Sequence, residues 1–195
     1  LATAKHFPGH GDTEVDSHLE LPVIRHSRAR LDMVELPPFR RTISAGVAGV
    51  MTGHIQLPAL DPRQDRPTTF SKPIVETLLR EELGFTGLIF TDSMQMRAVT
   101  EMMSPADAAG LAISVGHDVV LHSPDDASAL EGIKTAVTEG RVTEAAIAQS
   151  VRRILTAKAR LGLHRRSQVD LDSLPLVVGT RACLLYTSPS PRDRG

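Results

Sequence analysis

The residues with the most chemistry in this sequence lie in one short stretch, Lys5-His6-Phe7-Pro8-Gly9-His10-Gly11-Asp12-Thr13-Glu14-Val15-Asp16-Ser17-His18. Three histidines, two aspartates and a lysine are interleaved there with glycine and proline, so the stretch is a loop and not a core element. Asp16 and His18 stand two residues apart. In a turn, such a carboxylate orients the imidazole and favours its protonated form. A histidine held that way protonates a leaving oxygen and later takes a proton from water. Two other polar groups end apolar runs: His54 in Val50-Met51-Thr52-Gly53-His54-Ile55, and Asp92 in Gly87-Leu88-Ile89-Phe90-Thr91-Asp92-Ser93-Met94. A carboxylate at the tip of an apolar strand suits a nucleophile. It equally suits a turn-capping Asp, and His54 equally suits a structural hydrogen-bonding role.

Metal chemistry would have to draw on His6, His10, Asp12 and His18. Their spacing matches no standard site, and the Pro8-Gly9 kink separates the first two histidines, so no metal or cofactor is expected. His122-Ser123-Pro124 precedes Asp125 and Asp126, which read as first-turn helix residues. His26, His117 and His164 read as surface or structural groups.

Elements that could position these groups follow from the patterning. Short β-type runs cover residues 2–6, 47–52, 87–91 and 118–122. Helical patterns cover 31–45, 71–83, 104–115, 125–139 and 143–161. Ser71 is expected to cap the second of these, ahead of Pro73. Ser104 with Pro105 opens the third and Thr143 opens the last. Strand–helix alternation implies parallel pairing with right-handed crossovers, hence an α/β fold with its site at the strand C-terminal ends. Four such units make either a small open sheet or half of a (β/α)8 barrel.

The chain has 195 residues, 41% hydrophobic and 23% charged, with a formal net charge of −1. That balance describes a globular domain and gives no reason to expect nucleic acid or an anionic membrane as a partner. No apolar run approaches the roughly 18 residues of a membrane span. One cysteine, Cys183, excludes an internal disulfide. The first residue is Leu1, inside an apolar run, so no signal peptide can be read. Residues 165–182 read as a linker towards a second domain, and 183–195, rich in Pro, Ser and Arg, as a non-native tail.

The Lys5–Thr13 motif followed by Asp16-Ser17-His18 resembles glycoside hydrolase family 3, and more narrowly its bacterial β-N-acetylglucosaminidase branch. The similarity extends through Met51-Thr52-Gly53-His54-Ile55, residues 71–85, Phe90-Thr91-Asp92-Ser93 and residues 150–155. The resemblance implies a TIM-type (β/α)8 barrel of which residues 1–164 would supply the C-terminal half, strands five to eight. It implies that Asp92 is the nucleophile of a retaining reaction and that His18, supported by Asp16, is the acid/base. Lys5 and His6 match positions that hold sugar hydroxyls, and His54 and Met94 are expected beside them at the substrate. The implied substrate is a carbohydrate with a terminal β-linked N-acetylglucosamine, from cell-wall muropeptides or chitin-like sugars. A family 3 β-glucosidase is the alternative, as is a barrel fragment without activity. The resemblance implies export for members with a second domain and the cytoplasm for single-domain members, so the compartment stays open between the bacterial cytoplasm and export.

Overall fold

The computed structural model describes residues 1–13, 21–63, 66–168 and 170–180. The chain divides into two compact units, Leu1–Ala157 and Lys158–Gly195. In the first, four strands, β1 (Thr3–Phe7), β2 (Gly49–Thr52), β3 (Leu88–Ser93) and β4 (Val119–Leu121), form one parallel sheet in sequence order. The register pairs Ala4 with Val50, Val50 with Ile89, and Phe90 with Val119. This is the α/β alternation expected from the patterning, with the four strands within two residues of their expected positions.

The sheet is open. β1 and β4 each have a single strand neighbour, and both are less buried than the two central strands. Thr3 and Lys5 in β1 are exposed, as is Leu121 in β4.

Helices fill the crossovers. Between β1 and β2 run α1 (Arg28–Arg30), a π-helical segment Leu31–Glu35, and α2 (Leu36–Ser44). The amide of Leu36 reaches back five residues to the Leu31 carbonyl. That wider turn helps the chain admit Pro37 and Pro38, neither of which has an N–H to give. Between β2 and β3 lies a second π-helical segment, Pro73–Glu82. The short α3 (Arg97–Thr100) and the longer α4 (Pro105–Ser114) precede β4. α5 (Asp126–Thr138) and α6 (Glu144–Arg160) follow it. Two expected caps are present: Ser104 Oγ accepts the Asp107 N–H at 3.1 Å, and Thr143 Oγ1 accepts that of Ala146 at 3.1 Å.

The cap expected from Ser71 is not made. Its hydroxyl turns to Asp61 Oδ2 at 2.6 Å. Asp61 is only 3% exposed, and a buried carboxylate needs every donor within reach, so it outcompetes the helix end. Arg63 supplies the balancing charge and, with the Ser71 hydroxyl, holds the Asp61 pKa down at about 2 against the opposing effect of burial.

The main core lies between the sheet and the helices of the first two crossovers. Phe7, Leu36, Phe39, Val50, Leu79 and Ile89 are among its members, and Phe7 meets Phe39 edge-on at 5.1 Å. A smaller cluster gathers Phe70, Met94, Val99, Ala108 and Ala112 under β3 and β4. α4 and α5 pack closely at glycine. A Cβ on Gly132 would fall 1.9 Å from the Ala106 carbonyl oxygen.

A buried ionic hub ties the lower end of the sheet. The Asp118 side chain is fully buried and accepts from the Ile89 N–H at 2.9 Å, Ser150 Oγ at 2.7 Å, Arg153 Nη1 at 3.0 Å and Arg80. Arg80 also donates to the carbonyls of Phe85 and Gly87 and lies over the Phe85 ring. Four donors saturate the carboxylate, which is what makes a charge tolerable there.

In the second unit, a 3-10 turn Leu171–Ser173 and α7 (Leu174–Val177) occupy part of the segment read as a linker. Asp170 caps the 3-10 turn, accepting the Asp172 N–H at 3.2 Å. The residues read as a tail lie outside those described. No helix among the described residues is long and apolar enough to cross a membrane.

Candidate active site

Parallel strands bring their C-terminal ends to one side of the sheet, and that is where the polar groups gather. β1 delivers Lys5 and His6, β2 delivers His54 just past its end, and β3 delivers Asp92 and Ser93. The peptide bonds Lys5–His6 and Phe7–Pro8 are both cis. Asp92 Oδ2 stands 3.5 Å from His6 Nε2, with side chains 17% and 30% exposed. A carboxylate that is packed yet still open to solvent on one side is reachable by a ligand. Its other oxygen, Oδ1, accepts the Ser93 backbone N–H at 2.8 Å, which orients the carboxylate.

Gly53 permits the approach of β2 to β1 at this level. Its N–H donates to the Phe7 carbonyl at 2.9 Å, and a Cβ there would come within 3.1 Å of His6 Cβ.

Behind Asp92 lies a buried polar network. His54 is fully buried, with Nε2 3.0 Å from the Ser93 carbonyl and Nδ1 2.8 Å from Thr69 Oγ1. A carbonyl only accepts, so Nε2 carries the proton, and in the neutral ring Nδ1 accepts the Thr69 hydroxyl proton. His117 repeats the pattern. Its Nδ1 donates to the Ala112 carbonyl at 3.0 Å and its Nε2 accepts from Thr52 Oγ1 at 3.0 Å. The Thr69 hydroxyl also lies 3.1 Å from the Gly53 carbonyl and 3.3 Å from the Thr52 hydroxyl, and with both hydroxyl protons turned to the imidazoles both rings are satisfied while neutral.

Burial pushes the His54 pKa down, opposed by its bond to Ser93 and by the Asp92 charge. Burial likewise pushes His117 down to about 4.

The expected site residues therefore divide. Asp92 and His6 meet directly. Lys5 is exposed on β1 and faces, with His6, a cavity of about 700 Å3 also lined by His10, Asp12, Arg30 and Glu35. His54 is at the site but presents no free ring atom to it, because the protein uses both nitrogens, and it acts on Asp92 through Ser93. Met94, expected at the substrate, is instead 2% exposed and packs with Phe70 and Val99. Side chains alternate along a strand, and the residue two beyond Asp92 has already left β3 for the turn, where the apolar thioether takes the core. Met94 also borders a small apolar cavity of about 140 Å3, together with Val99, Met103 and Val120. Asp16 and His18 lie outside the described residues.

His117, expected as a surface or structural group, is structural, a member of the buried network, though nothing local in Gly-His-Asp signals its partners. Two groups at the site carry no expectation of their own. His122 follows directly on β4 with a positive φ of 56°, and its Nδ1 lies 3.0 Å from Ser93 Oγ. Its place at a strand end was the available signal. Glu35 belongs to a helical run and carries no local signal, but its side chain is only 7% exposed.

The description "Glycosyl hydrolase family 3 N terminal domain" matches residues 1–157. The beta-hexosaminidase A of Pseudoalteromonas piscicida is 41% identical over 131 residues, which cover 62% of this chain and 22% of that protein. A beta-N-acetylglucosaminidase/beta-glucosidase of Cellulomonas fimi is 36% identical over 84% of this chain and 30% of its own. Among solved structures, a family 3 beta-N-acetylglucosaminidase from Paenibacillus sp. str. FPU-7 superposes with a TM-score of 0.81 at 42% identity. That match covers 87% of this chain and 32% of that one. The chain thus spans less than a third of the length of each of these relatives. The matched domain is an α/β barrel of the TIM type, in keeping with the parallel sheet and its helices. On this match the chain belongs to glycosyl hydrolase family 3.

Proposed function

We propose that this chain is part of a retaining exo-glycosidase that releases terminal β-linked N-acetylglucosamine, with Asp92 as the nucleophile. The observation that carries the reading is the placement of Asp92. It ends β3, is held through Oδ1 by the Ser93 N–H, and keeps Oδ2 open beside His6. Relatives named for hexosaminidase and N-acetylglucosaminidase activity support the sugar.

In this mechanism Asp92 attacks the anomeric carbon and forms a glycosyl-enzyme as the aglycone departs. His18, oriented by Asp16, protonates the leaving oxygen and then takes a proton from the attacking water. Lys5 donates to sugar hydroxyls as a fixed cation, and His6 sits against both sugar and nucleophile. The neutral His54–Thr69 and His117–Thr52 pairs keep the strand ends fixed without adding charge near Asp92.

The four strands are read as the fifth to eighth of the barrel, residues 165–182 as a linker and a second domain beyond it. The open outer edges of β1 and β4 support the half-barrel, since a lone parallel half-sheet leaves edges that a closed barrel covers. Muropeptides and chitin-like oligosaccharides are the substrate class that follows.

The name of the Cellulomonas fimi relative favours a second reading, in which the same machinery accepts β-glucosides. Turnover of aryl N-acetylglucosaminide against aryl glucoside by the complete enzyme separates the two. Preference for the N-acetylated substrate supports the first reading, and preference for the glucoside replaces it with the second.

A further inference from the structure

The cavity beside Lys5 holds a feature that sugar hydrolysis does not explain. Among the described residues, three buried side-chain atoms have no hydrogen-bond partner: His10 Nε2, Arg30 Nε and Glu35 Oε2. All three residues line this one cavity. An unpartnered oxygen on a carboxylate side chain 7% exposed is costly unless something occupies the space it faces.

Three ligand-type groups converge beside it. Asp12 from the loop after β1, His26 from the segment before α1, and Glu35 at the end of the first π-helical segment place one ligand atom each within 4.8 Å of one another. His26 Nε2 already lies 2.7 Å from Asp12 Oδ2. We propose that Asp12, His26 and Glu35 form a binding site for a divalent transition-metal ion of the zinc class.

The donor set suits such an ion. One imidazole and two carboxylates are its ordinary ligands, and tetrahedral bonds of about 2.0–2.2 Å set ligand atoms about 3.3 Å apart. The observed spread therefore has to contract by about 1.5 Å at most on binding. Charge favours it as well. Arg30 Nη2 lies 3.5 Å from Asp12 Oδ2 and 3.3 Å from Glu35 Oε1, so one guanidinium spans two carboxylates. Among these three groups one negative charge is left over for a cation, with Lys5 the other cation lining the cavity. Arg30 is then the competitor: it occupies the position of the ion and swings aside as the ion binds. Asp12 is 61% exposed and His26 28%, which gives the ion a route in from solvent. Bound there, it cross-links the loop after β1 to the chain entering α1. The site asks for no bond-making step and stands independently of the role given to Asp92.

Calorimetric titration of the chain with zinc chloride alone, in a non-chelating buffer, tests it. The site predicts one zinc per chain and affinity lowered at least tenfold in His26→Ala and in Glu35→Gln. It also predicts tighter binding in Arg30→Ala, where the competing cation is gone, and unchanged affinity in Asp92→Asn. Circular dichroism confirms that each variant keeps its fold, and His26→Ala alone carries the test if Glu35→Gln does not. Absence of stoichiometric binding by the unaltered chain overturns the proposal. So does zinc affinity undiminished in His26→Ala, or weaker binding in Arg30→Ala.

Discussion

His54 donates its Nε2–H to the carbonyl oxygen of Ser93 at 3.0 Å, and the same Ser93 holds Asp92 Oδ1 with its N–H at 2.8 Å. The buried imidazole thus holds the residue whose N–H orients the carboxylate. Replacing His54 by Ala removes that grip, leaves the Thr69 hydroxyl to the Gly53 carbonyl alone and opens a cavity. The chain is expected to lose about 2–4 kcal/mol of stability, measured by urea unfolding. In the complete enzyme kcat should fall more than KM rises, because the substrate contacts remain while Asp92, the proposed nucleophile, loses its alignment. Equal stability of variant and wild type would show that the bond to Ser93 contributes nothing.

His117 makes stability depend on pH. Its folded pKa of about 4 lies below the ordinary histidine value near 6.5, so the unfolded chain takes up the proton first. Its contribution is complete above about pH 6.5 and falls with pH, by about 3 kcal/mol in all, until it levels off near pH 4. The lowered pKa of His54 adds to the loss in the same direction. Unfolding midpoints measured between pH 7 and 4 should show this decline. His117→Asn should be less stable at pH 7 but flatter across the window.

Little of this was legible in the sequence. The strands were, because short apolar runs ending in polar residues carry their own signal, and so was the placing of His6, Asp92 and His54 at one edge. The π-helical turns were not. Their pattern differs little from that of an α-helix, and only the return bond from Leu36 to Leu31 reveals the wider turn. Nor were the partners of Ser71 and His117, decided by groups ten and 65 residues away, Asp61 and Thr52. Met94 shows the limit from the other side. A residue adjacent to the site in sequence went to the core because the turn after β3 points it there.

The Asp118 hub should be the most sensitive ionic feature. Its carboxylate is fully buried against Arg80 and Arg153. Asp118→Ala leaves Arg80, 13% exposed, without its counter-charge, and should cost about 3–5 kcal/mol. Arg153→Ala should cost less, since Arg80, Ser150 and the Ile89 N–H still serve the carboxylate. Denaturant midpoints of the two variants give the comparison, and a larger loss for Arg153→Ala would reverse the ranking.

The central claim is that Asp92 attacks the sugar. It is tested most directly by incubating the complete enzyme, wild type and Asp92→Asn, with an activated aryl N-acetylglucosaminide whose glycosyl-enzyme breaks down slowly, followed by peptide mass spectrometry. The wild type should carry one sugar bound covalently at Asp92. Asp92→Asn should show no adduct and turnover reduced by at least about 10³-fold, with substrate binding retained. A covalent sugar on another residue, or near-normal turnover by Asp92→Asn, would contradict the claim.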